Sequence, residues 1–344
     1  MGLKIHRPKR GSMAYYPRKR AESLVAKFNV WPDPHPGKPL LLGFAAYKAA
    51  WPMPWSLMIG PQARSTARRL LSQSQYLMPP PIKVIAFRAY TYDPWKNLKL
   101  SLGEVWMPDV PKDIARKIPT LPEKFNKEEM MKRILDNVDV ITEVRAIVAT
   151  QPRLSGIGKK TPEILEIPIG GVDDVNQLIK FADSILGKDI GINDVFSEGQ
   201  YVDVAAITKG KGWQGVVKRF NVKILPKWHK HRKGYRRIGA IGPQNPALTF
   251  TTPRPGQMGL HKRTEYNKRI LRIGMNGAEI TPPSSGFPHY GIIKGGPYIV
   301  LEGTVPGVVK RLVTLRFPVR PRPQTYPTGK VQIVWLSTQP LQGA

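Results

Sequence analysis

The second half of the chain contains a long segment without acidic side chains. Between Val204 and Thr264 the sequence holds fourteen Lys and Arg and no Asp or Glu. A solvated protein surface normally mixes both signs of charge, so this segment is expected to need an anionic partner. A run of cations without acids is expected of a chain that passes between phosphate groups. The alternative is a disordered basic linker, which the five aromatic residues and several glycines of the segment argue against.

The rest of the chain distributes its charge differently. Nineteen of the 24 acids lie between Asp93 and Asp203, and the whole chain carries a formal charge of +30. RNA, DNA and an anionic membrane surface are candidate partners for such an excess. No apolar run approaches the roughly 20 residues of a membrane-spanning helix, and the N-terminus lacks the apolar stretch of a signal peptide. We therefore expect a cytoplasmic protein with no membrane partner.

Strand patterns flank a region of mixed secondary structure. The β-branched and aromatic runs at 40–47, 82–92 and 201–208 predict strands before and after that region. Further strands are predicted at 140–149, 163–169, 269–273, 298–301, 308–317 and 330–336, and helices at 126–136 and 173–186, where acidic first turns precede apolar residues at helical spacing.

These elements predict a mainly β fold class: a closed or nearly closed β-barrel with a mixed α/β insertion and two long basic extensions. The second basic extension, 226–262, is long for a connection within a compact domain, and such long connections are usually functional or disordered. The predicted divisions are a basic N-terminal extension at 1–38, the first part of the barrel at 39–92, the α/β insert at 93–203, the barrel return at 204–225, a basic finger-like extension at 226–262, and the second part of the barrel at 263–344.

The run Gly210–Gly215 matches the glycine pattern of a dinucleotide-binding turn. That function requires a following helix and an acid about 20 residues later. The next five residues, 216–220, have a β-like pattern, and no acid occurs before Glu265. The favoured interpretation is a glycine turn that lets the backbone approach phosphates.

The remaining motifs do not predict a metal site or a catalytic site. His229 and His231 could form half of a metal site, but no Cys, Asp or Glu is near in sequence to complete it, and the chain has no cysteine. Trp228 and Tyr235 could be core residues, yet their place in a basic segment without strand alternation favours stacking on unpaired bases. No catalytic pattern is present, so we predict no enzyme activity, metal, cofactor or small-molecule substrate.

Several segments resemble the archaeal and eukaryotic branch of the large-subunit ribosomal protein L-three family, in order and spacing, over nearly the whole chain. The segments are PRKRA at 17–21, LLLGFAAYKA at 40–49, VAAITKGKGWQGVVKRF at 204–220, HKHRKGYRRIGAIGPQNPA at 229–247, RPGQMGLHKRTEYNKRILRIG at 254–274, GFPHYGIIKGGPYIVLEGTVPG at 286–307 and KRLVTLR at 310–316.

The resemblance implies a barrel bound to 23S rRNA beside neighbouring large-subunit ribosomal proteins. It also implies two extensions that run toward the peptidyl transferase region, the second with its tip near Phe250, where yeast-type members have Trp. The family's methylatable histidine and glutamine align with His231 and Gln257. The resulting function is a structural constituent of the large ribosomal subunit that supports assembly and ordering of this RNA. The alternatives are an RNA-modifying enzyme and a DNA-binding architectural protein.

The predicted rRNA-binding residues are the cations of both extensions together with nearby aromatic and polar side chains. They are Lys4, Arg7, Lys9, Arg10, Arg18, Lys19, Arg20, Lys209, Lys211, Trp213, Lys218, Arg219, Lys227, Trp228, His229, Lys230, His231, Arg232, Lys233, Tyr235, Arg236, Arg237, Phe250, Arg254, Gln257, His261, Lys262 and Arg263.

Residues 50–79 depart from the family pattern. Codons exist for which KAAWPMPWSLMIG, read one base out of register, gives KAGMAHALV-x-DDR. Likewise ARRLLSQSQYLMPPP can hide GKEIIVPVTVFDAPP, which has the strand period that the fold needs. We hypothesise that about thirty residues here are a frame-shifted reading. Detection of a tryptic peptide containing SLMIGPQAR in the native protein would refute this hypothesis.

Overall fold

The computed structural model describes most of the chain. The described residues are 11–34, 36–50, 56–59, 69–72, 74–120, 125–228, 231–245, 247, 252–282, 286–321 and 332–336. The chain forms two compact units. The first, here called the basic unit, comprises residues 1–23 and 207–263, and the second, here called the body, comprises residues 24–206 and 264–344.

Seventeen strands and four α-helices are assigned within the described residues. The strands are β1 (Leu40–Leu41), β2 (Gly43–Ala50), β3 (Ser56–Ile59), β4 (Arg69–Ser72), β5 (Ser74–Met78), β6 (Ile82–Asp93), β7 (Leu98–Trp106), β8 (Glu143–Ala149), β9 (Ile164–Gly170), β10 (Asp189–Ile190), β11 (Tyr201–Ile207), β12 (Trp213–Gln214), β13 (Gly256–Gln257), β14 (Lys262–Gly274), β15 (Tyr298–Glu302), β16 (Leu312–Arg316) and β17 (Gln332–Trp335). The helices are α1 (Lys112–Ala115), α2 (Lys127–Leu135), α3 (Val175–Ile185) and α4 (Val216–Phe220).

Six strands close into a barrel in the order β11-β14-β15-β5-β2-β16. The strands β2 and β11 are apolar along almost their whole length, a pattern expected of strands covered on both faces. Seven consecutive residues of β11 are buried. β16 pairs antiparallel with both β2 and β11. The predicted mainly β fold with a closed barrel is confirmed.

The region after the first barrel strands forms a second sheet, ordered β1-β9-β8-β6-β10 with β7 paired to β6. Helix α3 begins where the Asp174 side chain accepts a hydrogen bond from the Asn176 backbone N–H. Its apolar residues, Leu178, Ile179 and Ala182 among them, are buried in the same core as the sheet. This region therefore contains the helices α1, α2 and α3 together with the strands β7 to β10.

A buried ion pair links two neighbouring barrel strands. Asp203 on β11 lies directly opposite Arg316 on β16. The carboxylate accepts hydrogen bonds from Arg316 Nη2 at 3.1 Å and Nε at 3.3 Å. It also accepts from the backbone N–H groups of Asn267 at 3.0 Å and Val319 at 3.1 Å. Four donors compensate the charge of a fully buried carboxylate, as burial of an ion requires.

The barrel also holds part of the segment that precedes it. Thr314 Oγ1 donates to the Ala26 carbonyl at 2.9 Å. The Arg316 guanidinium lies 4.3 Å from the ring centre of Phe28, and Asp33 accepts from the Gly171 N–H at 2.7 Å. Residues 26–33 of the predicted N-terminal extension are therefore attached to the body.

Half of the suspected frame-shifted segment, 50–79, lies outside the described residues, and among its strands only β5 has side chains that can be described. Ser74 and Gln75 are fully buried in the barrel, and within the described part of the chain neither Ser74 Oγ nor Gln75 Oε1 has a hydrogen-bond partner. Such burial is unfavourable for polar atoms. The alternative reading supplies a valine and a threonine at these places, which suit a barrel strand better. We therefore retain the frame shift as a proposal.

Candidate nucleic-acid interface

The basic unit concentrates positive charge. Its two segments contain 21 Lys and Arg and a single acid, Glu22. That acid forms an exposed ion pair with Lys19, at an N–O distance of 3.4 Å. The remaining cations of the unit therefore have no carboxylate of their own segments to neutralise them.

The described part of the N-terminal arm lies along the C-terminal part of the basic segment. The Ala21 N–H donates to the Leu260 carbonyl at 2.8 Å. The imidazole Nδ1 of His261 lies 2.8 Å from the Lys19 carbonyl. Because residues 11–23 and 257–263 contact each other in this way, cations from the two ends of the unit share one surface.

Arg219 on α4 connects the N-terminal arm to the C-terminal part of the basic segment. Its Nε donates to the Gln257 carbonyl at 3.0 Å, its Nη1 to the Arg254 carbonyl at 2.8 Å, and its Nη2 to the Arg18 carbonyl at 3.3 Å. A Cβ atom at Gly256 would lie only 2.9 Å from Arg219 Nη1, so glycine permits the close approach. Three of the five N–H groups of Arg219 are thus used within the protein.

The glycine-rich run forms a tight pairing. The Lys211 N–H donates to the Met258 carbonyl and the Met258 N–H donates to the Gly212 carbonyl, both at 2.9 Å. β12 pairs antiparallel with β13. At Gly259, φ is +73° and a Cβ atom would lie 2.0 Å from the Lys209 carbonyl oxygen. This position therefore requires glycine.

One expectation about this run is wrong. Residues 216–220 form the short helix α4 rather than a β-like segment. Gly215 is its N-terminal cap and Asn221 ends it in the left-handed conformation, which asparagine tolerates. The chain still contains no acid before Glu265 to bind a ribose, so the dinucleotide alternative gains no support from the helix.

The aromatic residues of the basic segment are largely exposed. Trp213 is 77% exposed and Trp228 is 70% exposed, so neither is a core residue. The Arg232 guanidinium lies 5.5 Å from the Trp228 ring centre, and Lys227 Nζ lies 5.4 Å from that of the half-buried Tyr235. Flat rings flanked by cations suit stacking on bases beside phosphates.

The predicted binding residues fall into three groups. Fourteen are exposed: Lys19, Arg20, Lys209, Lys211, Trp213, Lys218, Lys227, Trp228, Arg232, Lys233, Arg236, Arg237, Arg254 and Lys262. Seven are half-buried: Arg18, Arg219, His231, Tyr235, Gln257, His261 and Arg263. Seven lie outside the described residues: Lys4, Arg7, Lys9, Arg10, His229, Lys230 and Phe250.

His261 is kept away from its charged form. Burial lowers its pKa, and the positive charges of Arg263, Arg18 and Arg219 lower it further, although the hydrogen bond to the Lys19 carbonyl acts in the opposite direction. Because a carbonyl oxygen can only accept, the Nδ1 of the neutral ring carries the proton and donates to the Lys19 carbonyl. Among the described residues, no three His, Cys, Asp or Glu side chains lie together as a metal site would require.

Three aromatic residues of this surface were not predicted from the sequence. Arg263 lies 4.3 Å from the ring centre of Tyr15. Arg18 lies 5.2 Å from that of Tyr16 and 4.6 Å from that of Phe220. The pair of tyrosines directly before the PRKR run is the signal that could have identified Tyr15 and Tyr16, because such rings are common partners of guanidinium groups.

A closed barrel joined to a cationic unit with a single acid is typical of basic proteins that bind nucleic acid. No helix in the described part of the chain combines the length and apolarity of a membrane span. Comparison with known proteins gives a specific result. A family model described as ribosomal protein L3 matches residues 1–343.

Three archaeal relatives illustrate the similarity. The chain is 58% identical over 339 residues to the large ribosomal subunit protein uL3 of Pyrobaculum calidifontis, covering 98% of this chain and 99% of that protein. It is 50% identical over 351 residues to that of Caldivirga maquilingensis, covering 100% and 99%. It is 44% identical over 349 residues to that of Methanocaldococcus jannaschii, covering 100% of both.

The chain therefore belongs to the ribosomal protein L3 family. Proteins of this family are structural components of the ribosome and not enzymes. The predictions of the family and of a non-enzymatic ribosomal role are both confirmed.

Proposed function

We propose that this chain is a structural constituent of the large ribosomal subunit in the cytoplasm, and that it binds 23S rRNA through the basic unit. In this role it supports assembly and orders the RNA near the peptidyl transferase centre, beside neighbouring large-subunit proteins. The names of its relatives, all large ribosomal subunit proteins, support the location. The chemistry of the basic unit supports the RNA partner.

The observation that carries the proposal is the excess of 21 cations over one acid in the basic unit. Neutralising RNA phosphates releases counterions, which supplies much of the affinity of such a surface. The exposed Trp213 and Trp228 add stacking platforms beside the cations. Phosphate contacts would position the protein, whereas the rings would contact unpaired bases.

The test is the salt dependence of binding to a 23S rRNA transcript. We expect the affinity of the full chain to fall steeply with salt. A variant carrying Lys209→Gln, Lys211→Gln and Lys218→Gln should lower the slope of log K against log salt by about 2 to 3, because each phosphate contact contributes about 0.7 to 0.9. A wild-type slope of about two or less would contradict phosphate binding along the basic unit.

A matched variant separates local from total charge. Lys96→Gln, Lys112→Gln and Lys132→Gln remove the same number of exposed lysines from the body. They should leave the slope unchanged. An equal fall in both variants would mean that only net charge matters. Competition by duplex DNA at matched salt tests the DNA-binding alternative, since a DNA-binding architectural protein would be displaced as readily by duplex DNA as by rRNA.

A further inference from the structure

Three arginines meet where the N-terminal arm contacts the basic segment. We call Arg18, Arg219 and Arg263 the arginine cluster. Arg18 and Arg219 both lie over the Phe220 ring, and the contact between His261 and the Lys19 carbonyl brings the strand of Arg263 beside the residue that follows Arg18. Burial lowers the pKa of Arg219 and of Arg263, and the charge of Arg18 lowers both further. Like charges are thus held together by the fold without a carboxylate of the basic unit between them, since Glu22 pairs with Lys19.

The hydrogen bonds of the cluster are unequally distributed. Arg219 donates to three backbone carbonyls, so its position is fixed by the protein. Arg263 donates to the Lys262 carbonyl at 2.9 Å. Among the described residues, Arg18 makes one long hydrogen bond, 3.5 Å, with the Ser12 carbonyl, and its buried Nε has no hydrogen-bond partner there. A buried charged donor without an acceptor is unfavourable.

Aromatic rings hold these guanidiniums but do not neutralise them. Arg18 and Arg219 lie 4.6 Å and 5.1 Å from the centre of the same ring, Phe220. Arg263 lies 4.3 Å from the ring centre of Tyr15. A ring offers a partly negative face and no net charge. It therefore orients a guanidinium while leaving the N–H groups at its edge available for an anion.

A purely structural cluster is the simplest alternative. Arg219 fits it well, because its donors bind carbonyls of three separate chain segments. Arg18 and Arg263 do not, because most of their donors have no acceptor within the described part of the basic unit. The donor geometry of two such guanidiniums matches the oxygens of one phosphate group.

We propose that Arg18 and Arg263 bind a single phosphate group, and that Arg219 is the positioning residue that holds the arm and the basic segment around it. This inference rests on the proposed function, in which the phosphate belongs to the RNA backbone. A free phosphate ion offers the same oxygens, so the experiment has to distinguish the two sources.

The first part of the experiment uses the full chain and inorganic phosphate. Nitrogen-15 spectra of the arginine Nε–H groups are recorded while phosphate replaces chloride at constant ionic strength. The Arg18 signal should shift and saturate, while the signal of the exposed Arg254 stays in place. Parallel shifts of both signals would overturn the site, because they would report only a diffuse ion atmosphere. No shift of Arg18 with either phosphate or the rRNA transcript would also overturn it.

The second part of the experiment uses the 23S rRNA transcript. Arg18→Gln and Arg263→Gln should each weaken binding about 10- to 100-fold, as expected for a charge-assisted hydrogen bond. Each should lower the salt slope by about 0.7 to 0.9. Lys218→Gln removes an exposed cation next to Arg219 and should weaken binding less. Arg18→Lys keeps the charge but loses the Nε donor, so it should fall between wild type and Arg18→Gln.

The outcomes separate this site from the general function. If the wild-type chain binds rRNA with a steep salt slope and the Arg18 and Arg263 variants behave like Lys218→Gln, the phosphate site is wrong and the proposed function stands. If the wild-type chain does not bind rRNA, the proposed function fails. A phosphate shift without rRNA binding would assign the site to free phosphate. Unchanged circular dichroism and melting temperature of each variant show that lost binding is not lost folding.

Discussion

Buried and half-buried arginines have different partners in the body and in the basic unit. In the body, Arg316 is 4% exposed and pairs with the fully buried Asp203. Arg88 pairs with both Glu104 and Glu166. In the basic unit, Arg18 contacts two aromatic rings, Tyr16 and Phe220, and one carbonyl at long distance, and it pairs with no carboxylate of the unit's own segments. These two arginines of the body are therefore paired with carboxylates, whereas Arg18 of the basic unit is not.

This difference separates the energetic roles of charge in the two units. A paired buried ion contributes to folding only while both partners remain, since either one alone is costly to bury. An unneutralised cation opposes folding slightly and favours binding of a polyanion. Substitutions in the body should consequently change stability, and substitutions in the basic unit should change RNA affinity.

The largest effect is expected at Asp203. Asp203→Ala leaves Arg316 buried without its partner and removes the acceptor of two backbone N–H groups. We expect the free energy of unfolding to fall by about 3 to 5 kcal/mol, measured by urea denaturation. The matched change in the basic unit is Glu22→Ala, which breaks an exposed pair. It should cost at most about 0.5 kcal/mol. Similar losses in the two variants would remove the contrast between the units.

A smaller effect is expected from pH at Lys48 in the body. Burial lowers its pKa from 10.5 to about 8, and its ammonium group donates to the Val305 and Gly307 carbonyls. The unfolded chain keeps this proton up to its ordinary pKa, while the folded chain releases it above about 8. The penalty for burying the charge is thus present below that pH and disappears as pH rises further.

The unfolding free energy should therefore rise with pH between about 8 and 10, by on the order of 2 kcal/mol from this group. The control is Lys48→Met, whose profile should lack that rise. Subtracting the two profiles removes the contribution of the many other lysines. A difference that does not change with pH would show that Lys48 is not desolvated. In the basic unit, burial lowers the pKa of His261 below its ordinary value of 6.5, so the stability change from this group occurs below that pH and outside the range in which Lys48 titrates.

A still smaller effect, on binding alone, is expected at Trp228. Its side chain is 70% exposed, so Trp228→Ala should leave the melting temperature unchanged. If the ring stacks on a base, rRNA affinity should fall about tenfold. The matched residue in the body is Trp95, which is 96% exposed at the turn between β6 and β7. Trp95→Ala should alter neither quantity, and an equal loss of affinity in both variants would contradict a specific stacking role for Trp228.

Local patterns in the sequence predict the body well. The alternation at 82–92 and the apolar run at 201–208 correspond to β6 and β11, because strand periodicity is a property of neighbouring residues. The spaced apolar residues at 173–186 correspond to α3, although Asp174 is the N-terminal cap of this helix and not part of an acidic first turn. The error at 216–220 has the same origin. Two valines favour a strand locally, but the turn at Gly215 and the contacts of Arg219 select a short helix.

The candidate site is less predictable. The identity of its cations and of Trp213 and Trp228 follows from the acid-free sequence. The aromatic partners Tyr15, Tyr16 and Phe220 do not, because a ring beside an arginine in sequence need not face it in space. The sequence also gave no reason to distinguish Arg219, which binds backbone carbonyls, from the exposed Lys218 next to it.

The sequence alone determined the family, the mainly β class and the segregation of acids from the basic segment. These are carried by composition, spacing and order along the chain. Only the tertiary structure decided that the Arg18 carbonyl accepts from Arg219, 201 positions away, and that Arg18 Nε is buried with no acceptor among the residues that the structure describes. Such contacts depend on how distant segments close against one another, and no local preference of the residues encodes that closure.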